Sequence, residues 1–413
     1  MYKRQEVTTH ELRVNADLND TTSVTAGVFM SDLELIEHNE FTYPGSAKIA
    51  AGYAPNYPHT NPQPGQGGNA GAGWYSAPGP YNAPIIFVND ILRTDKQKGV
   101  FGEVNFALTD TSELTVGARW YDIEVDLEGS ANSSFSTGFI PAGAPHNDRQ
   151  RYGTNLSNKY NGPGGNSGNP ALDAMDHPDK AETDGTIGKV TYSWNPSEDL
   201  MYYVTMSEGF RPGLLNRPAG QSTPDGSYTV RPVTDSDEVT NYEFGWKTVL
   251  QDGRLRFNGS VFMVDISGLQ TTIFDPSIAN LFFSDNAADA DIKGLEGDFL
   301  YYTNTDGLII SGAFSFLDTE IKKSLTTSDV QAGEELAFAP GMQANVAARY
   351  EWGMSSGLQG HLQGQVIASD KSYSDIIEPN KAKQDSYSYA NLRAGISNDS
   401  WVAEIYVDNI SDE

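Results

Sequence analysis

The side chains best suited to chemistry in this sequence are aromatic and cationic ones set in long polar stretches. Between Tyr43 and Phe87, Pro and Gly are interleaved with Tyr53, Tyr57, Trp74, Tyr75 and Tyr81. Aromatic rings on a loop carried by a rigid scaffold can stack on a ligand arriving from solvent, and they can equally well do no more than pack the loop. The glycine-rich run Gly65 to Gly73 inside this stretch is not followed by a helical pattern, so it reads as flexible loop rather than a phosphate cradle. A second polar stretch carries Arg211, Arg217 and Arg231, whose guanidinium forks suit an anionic ligand. Asp225, Asp235 and Asp237 stand nearby and offer ordinary ion-pair partners. Asp285, Asp289 and Asp291 resemble a calcium cluster but lack the glycine and glutamate spacing of an EF-hand, and read as a solvated acidic loop. His10, His38, His59, His146, His177 and His361 show no ligand spacing, so surface or loop positions are expected of them and no metal site. No nucleophile elbow or Ser-His-Asp arrangement sits on a strand–turn–helix. The sequence therefore yields no catalytic residue and no cofactor, and it does not read as an enzyme.

The elements that must position these residues are strands. Period-two alternation recurs along the chain. Leu12, Val14, Ala16 and Leu18 oppose Glu11, Arg13, Asn15 and Asp17; Val100, Val104, Phe106 and Leu108 oppose Glu103 and Asn105. Leu114, Val116, Ala118 and Trp120 oppose Glu113, Thr115 and Arg119, and Tyr242, Phe244 and Trp246 oppose Asn241, Glu243 and Lys247. Leu255, Phe257, Val261 and Met263 alternate with Arg254, Arg256 and Asn258; Val346, Ala348, Tyr350 and Trp352 with Asn345, Arg349 and Glu351; and Trp401, Ala403, Ile405 and Val407 with Glu404 and Asp408. Tight turns such as Gln251-Asp252-Gly253 and Thr305-Asp306-Gly307 separate the runs within hairpins. Between hairpins lie long connections, at 37–96, 129–183, 211–236, 275–283, 322–334 and 372–385. The pattern predicts about fourteen strands in seven hairpins, with short turns at one end and long loops at the other. That sorting is the habit of outer-membrane barrels, with short periplasmic turns and long external loops. The fold class expected is all-β, a transmembrane antiparallel up-and-down barrel.

Composition is compatible with this. Of 413 residues, 27 are Lys or Arg and 55 Asp or Glu, a net charge of −28. With no basic run, such a chain is unsuited to nucleic acid. No cysteine is present, which excludes disulfides and thiolate metal sites. Hydrophobic residues are 38% of the chain and aromatics 11%, poor for a packed soluble core of this size yet natural where only every second strand residue meets lipid. An arginine facing lipid at mid-depth costs about 2–4 kcal/mol, so Arg13, Arg119, Arg256, Arg349 and Arg393 are expected to face the lumen, with Glu103, Glu243 and Glu404 in the same polar rows.

In their order, several segments resemble the barrel of TonB-dependent outer-membrane receptors. Tyr202 to Gly213 is similar to the strand that runs out into a Gly-Phe-basic-x-Gly element, here Gly209-Phe210-Arg211-Pro212-Gly213, followed by Asn216. Glu238 to Lys247 is similar to the family strand with two spaced glutamates, a glycine and a lysine, here Glu238, Glu243, Gly245 and Lys247. Asp265 to Gln270 and then Lys293-Gly294-Leu295-Glu296 resemble the next strand and the lysine-glycine start of its successor. Leu336 to Pro340 resembles a short element that begins a later strand, and Asn409-Ile410-Ser411-Asp412 the element after the penultimate one.

The resemblance covers nearly all of 8–412. It implies fourteen strands of a 22-stranded barrel, with the plug domain, its TonB box and a last aromatic-ended strand not represented. Residues 1–7 are not a signal peptide, because no apolar core follows Lys3-Arg4, and since they do not fit the strand beginning near Thr8 they read as an artefact or non-native leader, with residues 8–413 a partial barrel. Also implied are the Gram-negative outer membrane with its lipid as surroundings and energy-coupled uptake of a scarce nutrient, most often a ferric siderophore or other metal chelate. Cobalamin, haem and oligosaccharide stay open as ligands. The TonB–ExbB–ExbD complex would act through the plug, which the polar rows would hold; a passive porin is the alternative. Fourteen strands shaped for a wider barrel should form an open sheet.

Overall fold

The computed structural model describes residues 2–42, 85–133, 151–153, 180–216, 225–275, 282–326, 329–354 and 357–412, with Thr223 and Ile278 besides. Its strands are β1 (Tyr2–Asn19), β2 (Thr22–Thr42), β3 (Ile85–Thr109), β4 (Ser112–Ser133), β5 (Arg151–Gly153), β6 (Ala181–Ser197), β7 (Leu200–Arg211), β8 (Asp237–Leu250) and β9 (Leu255–Ile273), then β10 (Phe283–Tyr302), β11 (Leu308–Ser324), β12 (Met342–Gly353), β13 (Gln359–Ser369), β14 (Ser372–Tyr373), β15 (Lys383–Gln384), β16 (Tyr387–Ser397) and β17 (Val402–Val407). One antiparallel sheet takes them in chain order, β1 to β4, β6 to β13, then β16 and β17; β5 pairs with the far end of β4, and β14 with β15 form a separate hairpin. The path is linear, with β1 and β17 as its two edges. Every tight turn lies at one end of this sheet and every long connection at the other.

The strands are longer than the alternation predicts. β1 runs from Tyr2, and residues 2–7 pair with Leu33 to His38 of β2 in unbroken register. β2 continues to Thr42 and β3 starts at Ile85, so the connection is shorter than the expected 37–96. β4 likewise continues to Ser133 and β6 starts at Ala181. The reason, seen on β4 and β2, is a change of phase partway along the strand. On β4, Val116 and Trp120 lie exposed on one face while Glu113, Thr115 and Arg119 occupy the other; beyond Trp120 the faces exchange, so that Asp122, Glu124 and Asp126 replace the apolar row and Tyr121, Ile123 and Val125 become buried opposite. Ser112 to Trp120 spans about 26 Å along the strand at about 3.3 Å per residue, which at a barrel tilt of about 35–45° is a rise of about 20 Å, most of the ~25 Å apolar band of bacterial outer-membrane barrels. β2 changes in the same way, from Val28 and Met30 to Asp32 and Glu34. Charged residues that looked like loop are strand residues standing in water beyond the band.

The exposed hydrophobics form one outer surface: Leu12 and Val14, Val28 and Met30, Val204 and Met206, Val261 and Met263, and Leu362 and Val366 are each about 37–68% exposed. Aromatic rings gather toward the tight-turn end, where Trp194, Tyr202, Phe244, Trp246 and Phe257 stand in sequence at centroid separations of 5.7–6.3 Å.

Register is held by rings laid over glycines. Phe101 lies directly opposite Gly27, Tyr203 opposite Gly245, Trp246 opposite Gly259 and Phe262 opposite Gly294, and in each case the ring occupies the place a β-carbon on the glycine would take. A slip of one residue would drive each ring into a side chain and turn every apolar residue toward the wrong face. Gly294→Val should therefore lose about 1–3 kcal/mol through overpacking against Phe262. Gly364→Ala, which meets nothing within 4 Å, should be near neutral. Urea titrations in detergent, read by intrinsic fluorescence, check the contrast.

Candidate functional site

At the long-loop end, the described residues of four connections, 212–236, 274–282, 325–341 and 370–386, fold inward over the upper inner face of the sheet. Val230, Ile278, Val330, Leu336, Ile376 and Ile377 from these loops bury themselves with Ile273, Phe283, Ala287, Ala288, Ala290 and Ile321 from β9, β10 and β11. A second cluster joins Tyr121, Ile123, Val125, Ala181 and Leu215, with Phe210 stacked on Tyr121 at 3.6 Å between centroids. These clusters exist because the inner face turns apolar where the strands leave the lipid band.

Backbone ends left by the loops are satisfied by buried amide side chains, as a low-dielectric interior requires. Asn286 accepts from Asp235 N at 2.9 Å and donates to Asp235 O and Gly268 O at 3.0 and 2.8 Å. Gln270 donates to Pro212 O and Asp235 O, each at 2.9 Å. Asn216 donates to Arg231 O and Ser284 O and accepts from Ser284 N. Loop 370–386 is tied on by a bridge between Val330 and Ile377, by Glu378 N to Asp329 O at 2.9 Å and by Asn380 Nδ2 to Phe274 O at 3.1 Å. Lys381, its side chain 8% exposed, reaches Glu334 at 2.6 Å and Glu378 at 3.0 Å and covers the Tyr373 ring at 4.6 Å. Burial works against its ammonium, but the two carboxylates more than offset that and raise its pKa above the ordinary lysine value. The Tyr228 hydroxyl is pushed up by burial and by Asp285, to which it donates at 2.7 Å. The four loops are one packed body.

Of the expected ligand contacts, Tyr53, Tyr57, Trp74, Tyr75, Tyr81 and Arg217 lie outside the described residues. Arg231 belongs to the loop body and Arg211 ends β7 beside it, and both carry ordinary ion pairs. Arg211 donates Nε to Asp237 at 2.7 Å and its Nη2 to the same carboxylate, which is 1% exposed. Arg231 reaches Asp235 at 2.8 Å, Asp285 at 3.1 Å and Asn286 at 2.7 Å. The acidic trio is not a solvated loop: Asp285, Asp289 and Asp291 sit on β10, where Asp285 is buried beneath Tyr228 and Arg231, Asp289 accepts from Gly268 N at 2.9 Å and Asp291 faces Lys322 at 3.5 Å. Among the described residues no cluster of three or more His, Asp or Glu could hold a metal. His361 is neither surface nor loop; it is 5% exposed on β13, lies over Gly395 and meets Glu404 at 2.9 Å.

The cross-strand register places Arg13, Glu103, Arg119, Glu243, Arg256, Arg349, Arg393 and Glu404 on the face opposite the exposed hydrophobics. Arg13 and Arg119 rest on Phe101 and Phe29, at 5.5 and 5.6 Å from the ring centroids. Lys189 faces Glu103 at 3.9 Å, Tyr203 donates to Glu243, Arg349 pairs with Glu351 at 2.7 Å and Arg393 with Glu404 at 3.7 Å. A depression of about 690 Å³ in this wall is lined by Lys247, Asn258, Glu296, Asp298, Asn345 and Gln365 among others. What the sequence reading missed is the loop body with its amide anchors Asn216, Gln270 and Asn286. The signal that could have found it is the phase reversal at Trp120-Tyr121 and its counterparts.

A wide antiparallel meander with a lipid-height apolar outside, a polar inside and all its long loops at one end is the wall of a transmembrane up-and-down β-barrel. A family model for the TonB dependent receptor-like β-barrel matches residues 3–410, and the chain belongs to that family. Solved structures agree on the fold. The chain superposes over its whole length on the ferric yersiniabactin uptake receptor FyuA from Yersinia pestis with a TM-score of 0.66 at 13% identity, covering 50% of that chain. It does so on the siderophore receptor PiuA from Acinetobacter baumannii with a TM-score of 0.61 at 16% identity, covering 52%, and on the copper transporter OprC with a TM-score of 0.62 at 12% identity, covering 52%. The chain thus spans about half the length of these structures.

Asp237→Asn should loosen the loop body by about 1–3 kcal/mol, since a buried acceptor of four donors becomes a mixed donor and acceptor; faster chymotryptic cleavage after Tyr228 in the folded protein is the readout. The Lys381 clasp has the opposite pH logic to a carboxylate. Its folded pKa is raised, so its contribution is complete below the ordinary lysine value and is lost only as pH rises through the higher folded value. Resistance of the Lys381-Ala382 bond to trypsin should accordingly be the same at pH 7 and pH 9.

Proposed function

We propose that the full-length protein is an outer-membrane receptor that captures a scarce nutrient outside the cell and imports it by energy coupling, the cargo being a ferric siderophore or another metal chelate. One observation carries this reading: the sheet is polarised along its strands, with a water-exposed loop body at one end, a lipid-height band in the middle and minimal turns at the other. A simple diffusion pore has no need of a packed external body tied by four loops. The names of the structural neighbours, a ferric yersiniabactin uptake receptor, a siderophore receptor and a copper transporter, point the same way.

In this reading the loops receive the chelate, a plug from the rest of the protein occludes the lumen, and the TonB–ExbB–ExbD complex supplies the work that shifts it. The inner rows through Arg13, Glu103, Arg119, Glu243, Arg256, Arg349, Arg393 and Glu404 hold the plug by hydrogen bonds and ion pairs, and the depression lined by Lys247, Asp298 and Asn345 receives part of it. The aromatic stretch with Tyr53, Tyr57, Trp74, Tyr75 and Tyr81 and the cations Arg211, Arg217 and Arg231 contribute to capture. No step is covalent.

The test is uptake of radiolabelled iron, presented as a panel of ferric siderophores, into a Gram-negative host that carries the full-length gene with and without a functional TonB. TonB-dependent accumulation of one or more chelates is the expected outcome. Unselective conductance of small solutes by the purified protein in planar bilayers, without TonB-dependent uptake, would overturn the reading.

A further inference from the structure

Above the lipid band the wall divides between β6 and β7. Their ladder runs from Leu200 opposite Ser197 up to Ser207 opposite Lys189 and ends there, although β6 continues on β4 to Ala181 and β7 continues on β8 to Arg211. From this point β7 passes behind β6. Phe210, on the outward row of β7 with Val204 and Met206, stacks at 3.6 Å on Tyr121, which belongs to the inner face of β4. Gly185 leaves room for this ring pair, since a β-carbon there would strike the Tyr121 hydroxyl. Gly213 N then donates to Thr183 Oγ1 at 3.1 Å, and Leu215 buries itself with Ala181 and Val125. Two layers therefore overlap, with β4 and β6 outside and the ends of β7 and β8 inside.

The overlap leaves β6 with an open edge. In an antiparallel ladder alternate residues turn both main-chain groups to the same neighbour. Gly188 sets the phase, because its N–H points toward β7 and is met at 2.8 Å by the Glu208 carboxylate in place of a carbonyl. Glu182, Asp184 and Thr186 share that phase, so their N–H and C=O groups point into the space β7 has vacated. Among the described residues no strand takes that space. The side chains around it are exposed and acidic, Glu182, Asp184, Glu208 and Glu238, and Lys180 at its upper end is already held by Glu124 and Glu182. Edge strands carry charge to repel copies of themselves; an acidic row does that and at the same time favours a strand of opposite charge.

We propose that the β6 edge from Glu182 to Thr186 is a docking site for an extended cationic polypeptide segment, which adds as a strand in the place β7 vacates. Main-chain hydrogen bonds supply the pairing, and basic side chains along the added strand face the carboxylates. The site lies on the outside of the wall, just beyond Trp120, which stands opposite Thr186. A segment bound there does not enter the lumen, so the proposal is independent of the cargo.

The experiment uses the full-length protein in detergent and a short fluorescent peptide of alternating lysine and threonine, with binding read by anisotropy and main-chain pairing by hydrogen exchange. Saturable binding is expected, the amides of Glu182, Asp184 and Thr186 exchanging freely in the unbound protein and slowly once the peptide is added. Thr186→Pro deletes one outward N–H without touching the β4 ladder, as an edge strand allows, and should weaken binding by about tenfold. Thr186→Ala keeps that N–H and should bind as the wild type does. The same peptide N-methylated at alternate residues keeps its charge, loses its donors and should not bind; this arm alters no residue of the protein and so stands even where Thr186→Pro fails to fold. Equal binding of the N-methylated peptide would leave charge alone as the cause and overturn the inference, as would equal loss for the two Thr186 variants. Amides already protected in the unbound protein would mean that the chain's own residues cover the edge, and would overturn it too, as would failure of the peptide to bind.

Discussion

The rest of the structure depends on a change of solvent partway along the long strands, as β2 and β4 show. In the lower half the outer face meets hydrocarbon, where an unpaired N–H or C=O has no water to turn to, so the strands between the two edges are laddered on both sides and their outward side chains are mainly apolar. In the upper half the outer face meets water, and the constraint lapses. The apolar residues then move to the inner face, where they can be buried only if something folds down onto them. The loops 212–236, 274–282, 325–341 and 370–386 do so, bringing Val230, Ile278, Val330 and Ile377 onto β9, β10 and β11. The loop body is thus a consequence of the phase reversal. The same reversal explains why buried amides appear just there: loop backbone brought into a dry interior must find partners, and Asn216, Gln270 and Asn286 supply them.

Within the lipid band a different problem arises. Alternation specifies which face a residue takes but leaves strands free to slip by two. The rings over glycines remove that freedom, because each one couples a particular residue to a particular gap on its neighbour, as Phe262 does with Gly294 and Phe101 with Gly27. His361 over Gly395 extends the device to a polar ring, which then reaches Glu404 on the edge strand. Register, and with it the alignment of the polar rows, follows from pairwise shape.

The sequence made the lower half of each strand legible because period two is a strong and repeated signal: Leu114 to Trp120 could be assigned to a face from spacing alone, as could Arg119 opposite. It made the upper half illegible for the same reason. A run such as Asp122-Ile123-Glu124-Val125 still alternates, but with the faces exchanged, and against a background of acidic residues it resembles loop. The trio Asp285, Asp289 and Asp291 misled in this way, since acidity was taken for solvation while Asp285 is buried under Tyr228. Ion pairs between residues near in sequence, Arg231 with Asp235, could be anticipated. Contacts between Asn380 and Phe274, or Val330 and Ile377, depend on how four loops meet and leave no trace in local pattern.

Because the main sheet pairs its strands in strict chain order, most of its contacts are between neighbours in sequence, and the contact order is low for an all-β protein. Assembly can advance hairpin by hairpin, with no strand waiting for a distant partner. The loop body is the exception. Its contacts span connections from 212 to 386, so it cannot close until β7 through β16 stand side by side. The last cooperative event in forming this sheet therefore lies at its long-loop end, and completion of the loop body reports that the wall beneath it has been built in order.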